Sequence, residues 1–267
     1  MSENLWRRRV RSLQKARKSL RENEAEAIHD LRVALRRLGV TAAALDEKKI
    51  ERRCRRLASR LAQLRQLEVD RGLLARVHAL GILPEDAYSG LQARWDARSE
   101  ADARRALRIA QGPKMRKLIA RARRRSRRNI GKAMLRLDLE RARAERRLTP
   151  PADRASDRDL HSYRLAVKRA RYLAEDLAAC GAPNLDVAIA REREVQEAFG
   201  RWNDVRLFRL RLIQTRTEAE ERGAVTLALE LDRVINALEG TVAATRAEAL
   251  AIASRLGNVI PFLQRSA

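Results

Sequence analysis

Apolar residues recur every three or four positions through most of the chain, whereas the strict alternation that is typical of a strand is rare. β-branched residues are sparse, and the dominant Ala, Leu, Arg and Glu favour helices. Glycine, proline, asparagine and aspartate stop signals divide these stretches. They predict eight helices, at 3–21, 24–45, 48–80, 84–111, 113–147, 157–180, 184–221 and 223–256. The predicted fold class is all-α, with antiparallel bundles of long helices joined by short turns.

The second and sixth predicted helices share one sequence pattern. Residues 28–38 align with residues 160–170 at a constant offset, and residues 61–66 align with residues 199–204 further along. The chain is therefore predicted to consist of two related halves of four helices each, 1–112 and 113–257, followed by a tail at 258–267. Two four-helix bundles that share a core fit both the repeat and the chain length.

Each repeated helix has a basic stripe opposite an apolar one. At 100° per residue, the basic positions of each copy fall within an arc of about 60°. The stripes consist of His29, Arg32 and Arg36 in the first copy, and of His161, Arg164 and Lys168 with Tyr172 in the second. Arg37 and Arg169 follow directly in the two copies. Two helices with the same stripe indicate one shared binding device.

The charge balance points to an anionic partner. The chain has 59 lysines and arginines against 35 aspartates and glutamates, a net charge of +24. Much of this excess lies at 113–147, where acids four positions away from the cations are scarce. Such a strip destabilises its helix unless an anion neutralises it. We expect an anion-binding strip there that includes Lys117, Arg121, Arg124, Arg125 and Arg128.

Several classes of function are disfavoured by composition. Aromatic residues make up 3% of the chain, which argues against a base-stacking platform for single-stranded nucleic acid. Cys54 and Cys180 form no CxxC motif, and cations rather than metal ligands surround the two repeated histidines, so neither a metal nor a cofactor is predicted. Nucleophile–base pairs and P-loops are missing, so catalysis is not expected. Without an apolar run of about 18 residues, the sequence predicts a soluble intracellular protein that does not insert into membranes.

The ordered motifs resemble those of a known family. His29-x-x-Arg32-x-x-x-Arg36-Arg37 and His161-x-x-Arg164-x-x-x-Lys168-Arg169-x-Arg171-Tyr172 resemble the two signature helices of the CHAD family, the conserved histidine α-helical domain. Arg65-Gln66-Leu67-Glu68-Val69 and Gly200-x-x-Asn203-Asp204 resemble the later segments of its two halves. Gln66 stands where the family pattern has aspartate. The resemblance covers about residues 2–256, as one stand-alone domain.

The resemblance implies two pseudo-symmetric four-helix bundles around a central basic cavity that binds inorganic polyphosphate without catalysis. Residues carried over to that cavity are His29, Arg32, Arg36, His161, Arg164 and Lys168, with Arg65 and the strip at 113–147 extending it. The two histidines either contact phosphate or hydrogen-bond a neighbouring helix. The resemblance also implies a cytoplasmic protein that associates with polyphosphate granules.

Two other functions stay open on the sequence alone. A non-specific nucleic-acid binder would share the same charge. The rarity of aromatic residues and the lack of a recognisable base-reading motif count against it. An enzyme acting on polyphosphate would release phosphate with a divalent metal. The sequence leaves the oligomeric state open between a monomer and a homodimer.

Overall fold

The computed structural model describes residues 5–22, 27–124 and 130–257, and all regular secondary structure in these ranges is α-helical. The predicted all-α class is confirmed. The described helices are α1 (Leu5–Arg21), α2 (Ala27–Ala44), α3 (Lys48–Arg60), α4 (Ala62–Ala79), α5 (Glu85–Gln111), α6 (Pro113–Arg124), α7 (Ile130–Glu145), α8 (Asp157–Ala179), α9 (Asp186–Glu221) and α10 (Val225–Gly257). These ranges hold ten helices where the sequence pattern predicts eight.

The two additional helices come from the third and fifth predicted helices. The third is interrupted at Leu61, which caps α3 with φ −87° and ψ −7° and directly precedes α4. Leu61 is fully buried in a cluster with Leu57 and Leu64, and no glycine or proline marks the interruption in the sequence. Residues of the fifth predicted helix form α6 and α7, and positions 125–129 between them lie outside the described ranges.

Contacts divide the chain into two compact units. The first combines Met1–Arg65, Ala101–Leu148 and Leu165–Arg193, and the second combines Gln66–Glu100, Thr149–Arg164 and Glu194–Ala267. Helices α4, α5, α8 and α9 therefore each contribute residues to both units. This division does not follow the repeat boundary at 112–113, so the two halves stay a prediction from the sequence.

The core of the first unit is built on α2. Its predicted apolar stripe is confirmed, because Ala34, Leu35 and Leu38 are all buried. α2 packs between α1 and α3, and α6 packs on α1 and α3. The indole Nε1 of Trp6 in α1 donates to the backbone oxygen of Ala122 in α6 at 2.7 Å. Burial of its apolar face thus turns the basic stripe of α2 away from this core.

The second unit has its own core, formed by α4, α5, α9 and α10. Phe208 of α9 is fully buried and meets Trp95 of α5 edge to face, with ring centroids 6.2 Å apart. Leu74, Leu91 and Leu231 complete its centre. Among the described residues, no helix is long and apolar enough to cross a membrane.

Candidate anion-binding site

The predicted basic stripe of α2 lies at the surface of the first unit. His29, Arg32, Arg36 and Arg37 are all partly buried, while the opposite face of the helix is in the core. Partial burial is the usual state of arginines whose aliphatic stems pack on the protein while their guanidinium groups reach water. Arg36 has no ion-pair or hydrogen-bond partner among the described residues. The stripe therefore presents cationic groups along one face of the helix.

The basic stripe of α8 is shared by the two units. His161, which is exposed, and Arg164 belong to the second unit, whereas Lys168, Arg169 and Tyr172 belong to the first. Within the first unit, α8 brings Lys168 and Tyr172 to Arg37 of α2. The structure thus joins part of the two repeated motifs in one cluster, while a common site for His29 and His161 stays a prediction.

Tyr172 is the centre of that cluster. Its ring is only 2% exposed, and three cations lie over it: Arg37 at 5.4 Å, Lys168 at 5.7 Å and Arg171 at 5.1 Å from the ring centroid. The negative face of an aromatic ring attracts cations without cancelling their charge. The buried ring consequently supports the cations and leaves their charge available to attract an anion.

The carboxylate of Glu175 pairs with two of these cations. Glu175 binds Arg37 at 2.9 Å and lies 3.7 Å from Arg171. Together with Tyr172, it fixes Arg37 from two directions. The ring and the carboxylate therefore hold Arg37 and Arg171 in place beside Lys168.

Arg169 belongs to a second charged cluster in the same unit. Its guanidinium binds Glu140 of α7 at 2.8 Å, and Arg143 binds the other oxygen of that carboxylate at 2.7 Å. Although desolvation by partial burial opposes the shift, these hydrogen bonds hold the pKa of Glu140 below its ordinary value. Glu140 is therefore ionised at neutral pH and fixes Arg169 in place.

The predicted strip on α6 is described only in part. Lys117 and Arg124 are exposed, and Arg121 is partly buried with an Nε atom that has no hydrogen-bond partner among the described residues. Arg125 and Arg128 lie outside the described residues, as does the side chain of Arg65. The described cations of the strip thus face the surface of the first unit.

A groove of about 140 Å³ lies between α1 and α6. It is lined by Arg7, Val10, Arg11, Gln14 and Arg123. The groove adds arginines from α1 to the cationic surface near α6.

A buried polar cluster that the sequence pattern did not predict joins α1, α2 and α8. Asp176, which is 1% exposed, accepts hydrogen bonds from two nitrogens of Arg9, the Nε at 2.8 Å, and from Thr41 Oγ1 at 2.5 Å. Burial raises the pKa of Asp176, and the neighbouring Arg9 opposes that rise. The one available signal was an aspartate and a threonine within apolar helix faces. This cluster orients α8, and with it Lys168 and Tyr172, against α2.

A second buried ion pair connects α7 to the start of α9. Arg141 binds Glu192 at 2.6 Å, and the side chains are 6% and 2% exposed. Burial raises the pKa of Glu192 to about 7, against the opposing effect of Arg141. The carboxyl group of Glu192 therefore titrates near neutral pH.

We expect the stability of the protein to depend on pH through Glu192. Because its pKa rises from 4.5 to about 7 on folding, its contribution to stability is full below pH 4.5 and is lost as the pH rises through 7. Between pH 5 and pH 8, the free energy of unfolding of the wild type should fall by about 2 kcal/mol relative to Glu192→Gln. Urea unfolding at both pH values measures this difference. Glu197→Gln, an exposed position on the same helix, serves as the control, and parallel pH profiles for wild type and Glu192→Gln would contradict the expectation.

Gln66, which departs from the family pattern, has a clear role in the second unit. Its Nε2 donates to Asp70 Oδ1 at 2.9 Å, and Arg211 binds the other oxygen of the same carboxylate. Asp70 is 0% exposed, and burial raises its pKa. An amide can donate a hydrogen bond to this buried carboxylate, which an ionised aspartate at position 66 could not do. The departure is therefore accommodated by a polar contact of a different kind.

No group of three or more His, Cys, Asp or Glu side chains suited to a metal ion occurs among the residues that the structure describes.

Comparison with known proteins identifies the family. The model of the family described as CHAD domain matches residues 4–213, which is most of the chain. The chain belongs to the CHAD domain family. The CHAD family is associated in general with polyphosphate binding.

Two solved structures share the fold of this CHAD chain. PptA from Streptomyces chartreusis is 17% identical with a TM-score of 0.67, over 94% of this chain and 97% of that chain. The CHAD domain from the plant Ricinus communis is 19% identical with a TM-score of 0.65, over 92% of this chain and 89% of that chain. No curated protein matches the sequence. At these identities, the similarity of the solved structures shows the fold alone.

Proposed function

We propose that this CHAD domain is a non-catalytic module that binds inorganic polyphosphate. The observation that carries the proposal is the cluster on Tyr172, where one buried ring and one carboxylate hold three cations in place. Cations that are already positioned lose less conformational entropy when an anion binds. A cluster of three positioned cations is a fitting contact for consecutive phosphates of a linear chain.

The binding site in this proposal extends along the basic faces of both repeated helices. It includes His29, Arg32, Arg36, Arg37, His161, Arg164, Lys168, Arg169, Arg65 and the strip predicted from the sequence, Lys117, Arg121, Arg124, Arg125 and Arg128. In the arrangement inferred from the family, two bundles enclose these side chains in a central basic cavity. Tyr172 acts in this site as the support of three cations.

The chemistry of these side chains suits phosphate. Arginine presents a planar fork of donors that matches two phosphate oxygens at once. The chain has 59 basic residues, and aromatic residues make up only 3%. Polyphosphate has no bases to stack, so a cationic surface with few aromatics fits it better than it fits single-stranded nucleic acid. We further propose that binding brings the protein to polyphosphate granules in the cytoplasm.

Competitive titration tests the proposed function. Labelled long-chain polyphosphate, duplex DNA and RNA are each titrated with the full chain at physiological salt. We expect polyphosphate to bind at least about tenfold more tightly, with an affinity that falls steeply with salt as counterions are released. Equal or tighter binding of DNA would favour the alternative, a non-specific nucleic-acid binder. Release of phosphate on incubation with Mg²⁺ would contradict the non-catalytic assignment.

A further inference from the structure

A pocket of about 330 Å³ lies between α7 and α8 in the first unit. Its charged lining consists of Glu140, Arg143, Arg147 and Arg169, and Ala144 and Ala166 complete its walls. Three guanidinium groups and one carboxylate give this lining a net positive charge. The volume and the charge suit a small, multiply charged anion.

The carboxylate of Glu140 already engages two of the three arginines. Its two oxygens accept hydrogen bonds from Arg143 at 2.7 Å and from Arg169 at 2.8 Å. Arg147, in contrast, is exposed and has no side-chain partner among the described residues. The pocket therefore combines one available cation with two cations that an internal anion holds.

We propose that this pocket is a phosphate subsite in which Glu140 competes with the ligand for Arg143 and Arg169. The carboxylate offers the same two-oxygen face to the guanidinium groups that a phosphate would offer. A bound phosphate group must displace Glu140 from these arginines, while Arg147 is free to make the first contact. Glu140 thereby lowers the affinity of the pocket for any anion that has to displace it.

This proposal rests on the proposed function, because it explains how the subsite would treat a chain and a small anion differently. A free small anion must displace Glu140 with only its own affinity for the pocket. A phosphate group in a chain that other cations already hold arrives at an effective concentration on the order of millimolar. Glu140 therefore excludes small phosphates at low concentration, whereas a phosphate group of a chain that is bound elsewhere can still enter the pocket.

Pyrophosphate binding to Glu140→Gln tests the internal competitor. Because the amide no longer neutralises the two arginines, we expect the variant to bind pyrophosphate about tenfold more tightly than the wild type does, by isothermal titration at low salt. Glu51→Gln is the matched control, since Glu51 is also a partly buried glutamate paired with an arginine in the first unit. Equal gains in the two variants, or a loss in Glu140→Gln, would overturn the proposal.

A further variant locates the bound anion. Adding Arg143→Ala and Arg147→Ala to Glu140→Gln should return pyrophosphate affinity to the wild-type level or below it. A gain that persists without these two arginines would place the anion elsewhere and overturn the subsite.

Binding of long-chain polyphosphate gives a second test, which does not depend on how Glu140→Gln folds. Arg147→Ala should weaken binding of the chain about fivefold more than Arg146→Ala, because Arg146 is also exposed but does not line the pocket. Equal losses would count against the subsite. If the wild type binds no long-chain polyphosphate, the proposed function fails, and the pyrophosphate titrations still decide whether the pocket holds an anion.

Discussion

Replacing Asp176 with alanine is expected to lower the free energy of unfolding by about 3–5 kcal/mol, which is the usual cost of breaking a buried ion pair. The loss is large because Arg9, whose side chain is 9% exposed, would keep its charge without a buried counterion. The hydroxyl of Thr41 would lose its acceptor on Asp176 as well. Urea or thermal unfolding of the purified chain measures this difference.

Two further variants separate the ion pair from a general effect of charge. Asp138→Ala, which removes an exposed acid from α7, should change the free energy of unfolding by less than about 0.5 kcal/mol. The double variant Arg9→Met with Asp176→Leu removes both charges and should recover most of the lost stability. A loss in Asp176→Ala no larger than in Asp138→Ala would show that the pair does not contribute to stability.

Polyphosphate affinity should fall by roughly 10³-fold when Arg32, Arg36, Arg164 and Lys168 are all replaced with alanine, at about 1 kcal/mol per lost contact. All four side chains are partly buried on α2 and α8. Charges in such positions are screened less by salt than exposed charges are. Fluorescence titration with labelled long-chain polyphosphate at physiological salt measures the loss.

The control for this variant removes the same charge from an exposed surface. Arg52, Arg55, Arg56 and Arg60 of α3 are all exposed, so their replacement with alanine should weaken binding by no more than about tenfold. Similar losses in the two quadruple variants would indicate diffuse attraction by the net charge rather than a site. Circular dichroism of both variants confirms that each retains its helices.

The local pattern of the sequence was sufficient for the elements whose structure depends on nearby residues. The apolar stripe of α2 was predicted correctly, because burial of Leu35 and Leu38 follows from their spacing on one helix face. The interruption at Leu61 was not predicted. Leu61 is a good helix former without a stop signal beside it, so no local feature of the sequence marks the interruption.

The sequence pattern does not predict the contacts that fix the side chains of the candidate site. The repeat identified Arg37 and Arg169 as equivalent positions, but Arg37 pairs with Glu175 and Arg169 with Glu140. These partners lie on helices far from their arginines in sequence or at positions that the repeat does not relate. Pairing of this kind is set by how helices pack, so charge periodicity finds the cations without finding the acids that fix them.

The distance along the chain between Arg9 and Asp176 has a consequence for folding during synthesis. The two residues are 167 positions apart, so at roughly 5–20 residues per second Arg9 is synthesised about 10–30 s before its counterion. The first unit also needs residues up to Arg193 before all its segments exist. During that interval, the emerging α1 and α2 present cationic faces without their final partners on α8. The nascent chain is therefore exposed to the polyanions around it, the ribosomal RNA included, before the first unit can close.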